Sequence, residues 1–255
     1  MNTPTENLIF DIGMYDGTDT LFYLQSGFSV VAVEANPALA ESARAKLGSF
    51  LESGKLQIVN AAISDRSGSV LHFSIPTGDQ GSTSADPLKI SQRTIASNFS
   101  IETVALLELF ERFGIPHFLK VDIEGLDRHC VLPLTSESRP RYLSFEAGPD
   151  FPELLAHLES VGFRSFRAIN QCNFLSLQRQ KTLSYRLRLR ALHMLGFRDP
   201  MFVRLNGSFF RVEHGSGPLP WTLNEPWLQA DELLETWNRF ADRGEISGWY
   251  DIHAM

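Results

Sequence analysis

Two short clusters of residues in this sequence have types and spacing that could do chemistry on a bound ligand. The first, residues 11–17 (DIGMYDG), follows an apolar run and combines two glycines with two carboxylates. The second is Lys120-Val-Asp122-Ile-Glu124, in which charged and apolar residues alternate. In a strand its charged side chains share one side, with the two carboxylates about 6.5–7 Å apart. The sequence therefore predicts a ligand-binding glycine turn and a separate acidic cluster.

The elements that must position these clusters follow a repeating pattern of apolar strands and amphipathic helices. Strands are predicted at Leu8–Phe10, Ser29–Val33 and Leu56–Val59, separated by helices, and a fourth precedes Glu124. This alternation is typical of an α/β fold around a mostly parallel sheet. Because ligands of such sheets bind outside the carboxyl ends of the strands, both clusters are expected at the same edge.

The glycine turn and the next strand together indicate a nucleoside ligand. A strand, a tight turn and a helix start direct backbone N–H groups at a ligand. Glu34 lies 21 positions after Gly13, at the end of the second strand, where a carboxylate can accept hydrogen bonds from both ribose hydroxyls. Asp11, Asp16 and Asp19 surround the turn, and would repel a pyrophosphate. A cofactor without phosphate and with positive charge, such as S-adenosylmethionine, fits this acidity better.

Two other functions stay open at this point. A nicotinamide-dependent oxidoreductase or epimerase shares the glycine turn and the acidic residue. It predicts glycine at position 15 and a Tyr-x-x-x-Lys pair, and the sequence has neither. A non-catalytic module that binds S-adenosylmethionine would keep Gly13, Gly17 and Glu34 but would not need the acids at 122, 124 and 146.

Composition excludes further classes of protein. The net charge of −7 disfavours a sequence-independent nucleic-acid binder, which needs a basic surface. Two cysteines are too few for a disulfide framework, the start lacks a signal-peptide pattern, and no apolar run reaches the roughly 18 residues of a membrane span. We therefore expect a cytoplasmic protein with neither a nucleic-acid nor a membrane partner. The oligomeric state is not predicted.

Several segments, in order and spacing, resemble one family. They are FDIGMYDGTDTLFYLQSGFSVVAVEANP, VNAAISDRSGSVLHF, FLKVDIEGLDRHC, YLSFEAG, SGPLP and WYDIHA. Together they resemble the FkbM family of methyltransferases that depend on S-adenosylmethionine. The resemblance implies a Rossmann-like class I methyltransferase fold, with a seven-stranded sheet that is parallel except for its last strand and has helices on both faces. It also implies transfer to oxygen, often a hydroxyl of a sugar or natural product, and therefore a small-molecule or glycan-type acceptor.

The resemblance also implies roles for individual residues. Asp11, Gly13 and Gly17 would contact the methionine part of the cofactor, and Glu34 would hold the ribose. The adenine would be bordered by three further residues, Asn60, Ala61 and Ala62. Two segments depart from the family's usual form: Met-Tyr-Asp stands at 14–16 in place of Ala-Asn-x, and an Asp often found near residues 101–105 is missing.

The acidic cluster supplies the candidate catalytic residues. Methyl transfer to an alcohol requires the hydroxyl to lose a proton, which Asp122 or Glu124 could accept. Lys120 could pair with either acid, and Glu146, at the end of the next predicted strand, is a further candidate. The alternative is a strand-end ion network with a structural role only. Mg²⁺ is a second open alternative because it prefers oxygen ligands, although no spacing here is metal-specific.

The remaining predictions concern how the chain is organised. We predict a single domain, with an α/β core over 1–178 and a basic helical segment and C-terminal cover over 179–255. Residues 179–198 hold six Arg or Lys and no acid, which indicates an amphipathic basic helix that either covers the core or attracts an anionic substrate. In the tail, Asp251 and His253 are predicted either to form an acid–histidine pair or only to dock the terminus.

Three local predictions are also made from periodicity and turn residues. Residues 37–54 are predicted to form one helix, and residues 101–113 another. Residues 65–68 (DRSG) are predicted to be the turn of a hairpin into a strand over 69–75. The polar segment from Thr77 to Asn98 is predicted to be a long loop, which in a compact domain is usually functional or disordered.

Overall fold

The computed structural model describes most of the chain: residues 3–76, 95–123, 125–171, 173–180, 182–194, 202–205, 208–211, 219–246 and 248–255. The chain divides into two compact units, Met1–Arg141 and Tyr142–Met255. The single domain predicted from the sequence, with its boundary at residue 178, stays a prediction.

The first unit contains seven of the described strands. These are β1 (Thr5–Ile12), β2 (Ser29–Val33), β3 (Leu56–Val59), β4 (Ala62–Ser64), β5 (Val70–Pro76), β6 (Ile95–Ala105) and β7 (Pro116–Val121). Four of them lie side by side in the order β3-β2-β1-β7, and every neighbouring pair is parallel. Their side chains are mostly buried, apart from the start of β1 and most of β3, as expected for parallel strands covered on both faces. The predicted bounds of β2 and β3 are confirmed.

The helices of the first unit are α1 (Thr18–Gln25), α2 (Pro37–Lys46), α3 (Gly48–Glu52), α4 (Leu106–Phe113) and α5 (Arg128–Val131). The single helix predicted over 37–54 is wrong, because the chain breaks at Leu47 between α2 and α3. Leu47 is buried, and the glycine that follows it is a poor helix former. Asn36 begins α2, its side chain accepting a hydrogen bond from the N–H of Ala38 at 3.0 Å.

The hairpin predicted around residues 65–68 is also wrong. Strand β5 pairs antiparallel with β6, and β4 pairs parallel with the same strand, so β4 and β5 are not partners. Residues 101–105, predicted to be helical, are the end of β6. Apolar residues there fit either period, and pairing with a distant strand decides between them. Most of the predicted loop at 77–98 lies outside the described residues.

The second unit contains β8 (Tyr142–Glu146), β9 (Phe166–Asn170), β10 (Phe202–Leu205), β11 (Ser208–Arg211) and β12 (Tyr250–Ala254). Its helices are α6 (Phe151–Ser160), α7 (Leu177–Gln180), α8 (Leu183–Met194) and α9 (Ala230–Ala241), with a 3₁₀ turn at Pro220–Thr222. Strand β12 lies between β8 and β9 and is antiparallel to both. The basic helix predicted within 179–198 is confirmed as α8.

A row of buried polar side chains crosses the second unit. His253 on β12 is in register with Ser144 on β8 and with Arg167 on β9, so the three side chains share one face. Each is at most 1% exposed. The Arg167 guanidinium donates to the carbonyl oxygens of Leu223 at 3.2 Å and Glu225 at 2.9 Å, which ties the segment before α9 to β9.

The seven strands β1, β2, β3, β7, β8, β9 and β12 form one predominantly parallel sheet. Its antiparallel member is the last strand of the chain, β12. The predicted fold class, a Rossmann-like α/β fold with a mostly parallel seven-stranded sheet, is therefore confirmed. Among the described residues, no helix is both long and apolar enough to cross a membrane.

Candidate active site

The glycine turn after β1 passes directly against the chain that follows β7. The N–H groups of Gly13 and Met14 both donate to the carbonyl of Val33, at 2.9 and 3.0 Å, which holds the turn against the end of β2. Gly13 has a φ of 82°, and a Cβ built on it would lie 1.8 Å from the carbonyl oxygen of Asp122. Only glycine fits at this crossing.

Glu34 is held at the end of β2 by hydrogen bonds to both of its carboxylate oxygens. The backbone N–H of Tyr15 donates to one at 2.8 Å, and that of Asn36 to the other at 2.7 Å. Burial raises the pKa of Glu34 above its usual value, although these two donors and Lys120 oppose the shift. Asn60 donates from its side chain to the Glu34 carbonyl at 2.8 Å. Each carboxylate oxygen can still accept a second hydrogen bond.

Lys120 lies in a ring of carboxylates behind the glycine turn. Its Nζ is 3.0 Å from Asp11 Oδ1, 4.0 Å from Asp19 Oδ2 and 3.9 Å from Asp122 Oδ2, and it donates to the Gly13 carbonyl at 2.8 Å. Burial by itself lowers the pKa of Lys120, but the three carboxylates outweigh it and hold the pKa above its ordinary value. The ammonium therefore stays charged and fixes the turn to β7.

Asp11 is completely buried on the same network. Besides the contact with Lys120, its second carboxylate oxygen accepts a hydrogen bond from the Thr20 hydroxyl at 2.5 Å. This bond connects the end of β1 to helix α1. Asp11 thus braces the strand–turn–helix unit from inside, where a ligand in solution does not reach its carboxylate.

A cleft with about 610 Å³ of empty space, part of it open to solvent, lies over the turn, wholly within the first unit. Its charged lining residues are Glu34 and Asp122, and no Lys or Arg lines it in the described part of the chain. The other lining residues are mainly apolar: Gly13, Tyr15, Val33, Ala35, Leu39, Ala61, Ala62, Ile63, Phe73, Ile123 and Leu126. The cleft therefore combines an acidic wall with an apolar one.

Tyr15 occupies the position where a dinucleotide turn would have its middle glycine. Its φ is 53°, a left-handed conformation that is uncommon for a bulky residue. The residue lines the cleft, and its N–H is bound to Glu34. A strained backbone held by a neighbouring carboxylate is typical of functional sites.

The structure brings five of the eleven predicted site residues to the cleft wall: Gly13, Glu34, Ala61, Ala62 and Asp122. Three others support it from outside the wall, namely Asp11, Lys120 and Asn60. Gly17, with a φ of 81°, begins α1.

The last two predicted residues are not placed at the cleft by the structure. Glu146 ends β8 in the second unit, in register with Asp251. Glu124 lies outside the described residues. Their predicted catalytic roles stay predictions.

Sequence reasoning missed the residues that give the cleft its shape. Phe73 on β5 was not predicted as a site residue, because its strand was assigned to the wrong hairpin. Ile63, Leu39 and Leu126 were likewise missed, since apolar side chains in regular elements look like ordinary core. The sequence did give a reason to suspect position 15, because a tyrosine there interrupts a glycine turn.

Two further alternatives from the sequence concern a metal site and an acid–histidine pair. Among the described residues, no group of three or more His, Cys, Asp or Glu could hold a metal ion. His253 is fully buried, and neither ring nitrogen has a hydrogen-bond partner, so Asp251 and His253 form no acid–histidine pair. The Asp251 carboxylate instead accepts a hydrogen bond from the Gln171 side chain at 2.8 Å.

The chain matches one protein family model and has distant similarity to several solved structures. Residues 11–165, more than half of the chain, match the family model described as the methyltransferase FkbM domain. Among solved structures, a precorrin-6y C5,15-methyltransferase from Geobacter metallireducens is 13% identical over 66% of this chain and 69% of its own, with a TM-score of 0.37. A methyltransferase from Geobacter sulfurreducens, bound to S-adenosylhomocysteine, is 10% identical over 99% and 86%, with a TM-score of 0.35. No curated protein matches the chain significantly.

Proposed function

Because the chain belongs to the FkbM family of methyltransferases, we propose that its cleft binds S-adenosylmethionine and that the enzyme methylates a hydroxyl group. The proposed acceptor is a small sugar-containing or natural-product molecule.

The observation that carries the proposal is the charge of the cleft. Two carboxylates, Glu34 and Asp122, line it, while Lys120 is buried behind the turn. Among the described lining residues, a pyrophosphate would meet these carboxylates and no Lys or Arg to offset them. S-adenosylmethionine has no phosphate, and its sulfonium and ammonium groups are attracted by this acidity.

The cleft residues divide naturally among the parts of this cofactor. Glu34 would accept hydrogen bonds from the ribose hydroxyls through the lone pairs that Tyr15 and Asn36 leave open. Ala61, Ala62 and the other apolar residues of the cleft would enclose the adenine. Gly13 would lie against the methionine part, and Asp11 would act there only indirectly, through Lys120.

The proposed chemistry is an in-line displacement. S-adenosylmethionine, when bound, would supply an activated methyl group for transfer to the acceptor oxygen, with S-adenosylhomocysteine as the leaving group. The protein's task is to hold the acceptor oxygen at roughly 3–3.5 Å from the methyl carbon and to remove its proton. Asp122 is the candidate base, since it lines the cleft and its side chain is 29% exposed. Lys120 is then a positioning residue that fixes the turn.

Ligand binding tests the cofactor assignment. We expect S-adenosylmethionine and S-adenosylhomocysteine to raise the thermal midpoint and to bind in calorimetry, whereas NAD does neither. Glu34→Gln should weaken both ligands by about tenfold, because a charged hydrogen-bond acceptor is lost. Glu41→Gln, on the exposed side of α2, is the matched control and should bind as the native chain does. Stabilisation by NAD alone would contradict the proposal.

Transfer of labelled methyl groups to a panel of hydroxylated sugars and natural products tests the acceptor class. With an acceptor found in this way, Asp122→Asn should lower turnover by about 100-fold or more, while the Kd for S-adenosylhomocysteine stays within several-fold. An equal loss of cofactor binding would make Asp122 a cofactor ligand instead. Methylation at nitrogen or carbon only would overturn the proposed O-methylation.

A further inference from the structure

Helix α8 carries an unusual share of the exposed apolar side chains. Six large hydrophobic residues are exposed among the described residues, and three of them lie on this one 12-residue helix. Leu183 is 71% exposed, Leu187 54% and Met194 88%. Single exposed apolar residues need no explanation, but a cluster of them marks an interaction surface.

The three side chains form one row along the helix. They are spaced four and seven residues apart, which on an α-helix places them within about 40° of one another and over about 16 Å of length. Ala191, also exposed, lies about 40° beyond Leu187 round the helix. The row of three large side chains is narrower than the apolar stripe of roughly 100° or more by which a helix packs onto a protein core.

Basic positions lie along one side of this row. The helix positions of Arg186 and Arg190 fall on that side, whereas that of Arg188 lies about 100° round the helix from Leu187. Arg190 is exposed. The segment from 179 to 198 has six basic residues and no acid, although the chain as a whole has a net charge of −7. Arg179 lies apart from the helix, in an ion pair with Glu225 at 2.8 Å.

We propose that α8 docks on an anionic lipid surface. Leu183, Leu187 and Met194 would enter the boundary between headgroups and acyl chains, and Arg190, which is exposed beside them, would contact the lipid phosphates. A narrow row of flexible apolar side chains beside a basic residue suits shallow insertion, and each basic residue near an anionic leaflet adds to the attraction. The sequence excluded a membrane span, and the expected lack of any membrane partner is revised here to docking at the surface.

Vesicle cosedimentation of the full chain tests this inference. We expect binding to equimolar phosphatidylglycerol and phosphatidylcholine vesicles but not to phosphatidylcholine alone, and weaker binding as salt is raised. The double variant Leu183→Gln/Leu187→Gln should bind about tenfold more weakly, because two apolar side chains no longer insert. Val70→Thr, which changes an apolar residue that is equally exposed at 54%, is the control and should bind normally.

Each other outcome overturns the inference. Absence of binding to anionic vesicles at low salt does so, as does equal binding by the double variant. Self-association that the double variant abolishes would identify a second copy as the occupant instead. If the double variant fails to fold, as judged by circular dichroism, Arg190→Glu replaces it as the test variant. It should bind anionic vesicles more weakly, and an unchanged affinity would reject lipid docking.

Discussion

At the scale of single residues, Gly13 is the position where geometry leaves least freedom. Its backbone is left-handed, and the space that a Cβ would occupy is already filled by the Asp122 carbonyl. The same residue accepts the hydrogen bond from Lys120 and lies against the proposed methionine site. We therefore expect a substitution of Gly13 to affect both the stability of the fold and the binding of the cofactor.

Gly13→Ala is expected to lower the free energy of unfolding by about 3–5 kcal/mol, from backbone strain and overpacking combined. Denaturant unfolding measures the loss. Gly27→Ala is the matched control, since Gly27 has a φ of 95° but nothing within 4 Å of a built Cβ. It should cost only about 1–2 kcal/mol. Equal losses in the two variants would mean that the contact with Asp122 has no energetic weight.

At the scale of elements, the turn between β1 and α1 has the backbone conformation of a glycine turn, although its middle residue is tyrosine. Tyr15 adopts the left-handed backbone that glycine would adopt more easily, and the carboxylate of Glu34 holds its N–H. This explains how the missing middle glycine is tolerated. The turn keeps its shape through a buried acid on the next strand.

A comparison of two variants at this position tests the stored strain. Alanine ordinarily stabilises a protein relative to glycine, but at position 15 we expect the reverse. Tyr15→Gly should be more stable than Tyr15→Ala by about 1 kcal/mol, because only glycine is relaxed at a φ of 53°. Thermal and denaturant unfolding without cofactor measure the difference. A more stable alanine variant would show that the left-handed backbone is not strained.

At the scale of the whole molecule, His253 makes stability depend on pH. Burial, with a smaller contribution from Arg167, lowers its pKa well below 6.5, so the ring is neutral in the folded chain. Once unfolded, the ring binds a proton below about pH 6.5. The unfolded state then binds more protons, so stability is full above that pH and falls, by up to about 1.4 kcal/mol per pH unit, as the medium is acidified.

Burial also lowers the pKa of His117, so the contribution of His253 must be measured by difference. Between about pH 7.5 and about pH 5.5, His253→Leu should lose less stability than the native chain, by about 1 kcal/mol. Urea unfolding at both values provides the comparison. Parallel losses in the two proteins would show that His253 can be protonated within the fold.

Much of the architecture could be predicted from local pattern. Strands β2 and β3 have the bounds that their apolar runs indicated, and the basic segment contains the predicted helix as α8. The errors arose where a segment's structure depends on a distant partner. Residues 101–105 are a strand because Ile101 and Glu102 pair with β5 and residues 103–105 pair with β4, and apolar periodicity over five residues cannot show that.

By itself, the sequence determined the chemistry at the edge of the sheet: a glycine turn, an acid at the end of β2 and carboxylates after β7. These depend on residue type and on short spacing, which local geometry converts directly into position. Only the tertiary structure decided which polar groups face the cleft. Lys120 and Asp122 lie two residues apart, yet the lysine is enclosed by Asp11 and Gly13 while Asp122 lines the cleft. The reason is physical, because burial and ion pairing are set by side chains that are more than 100 residues apart in the chain.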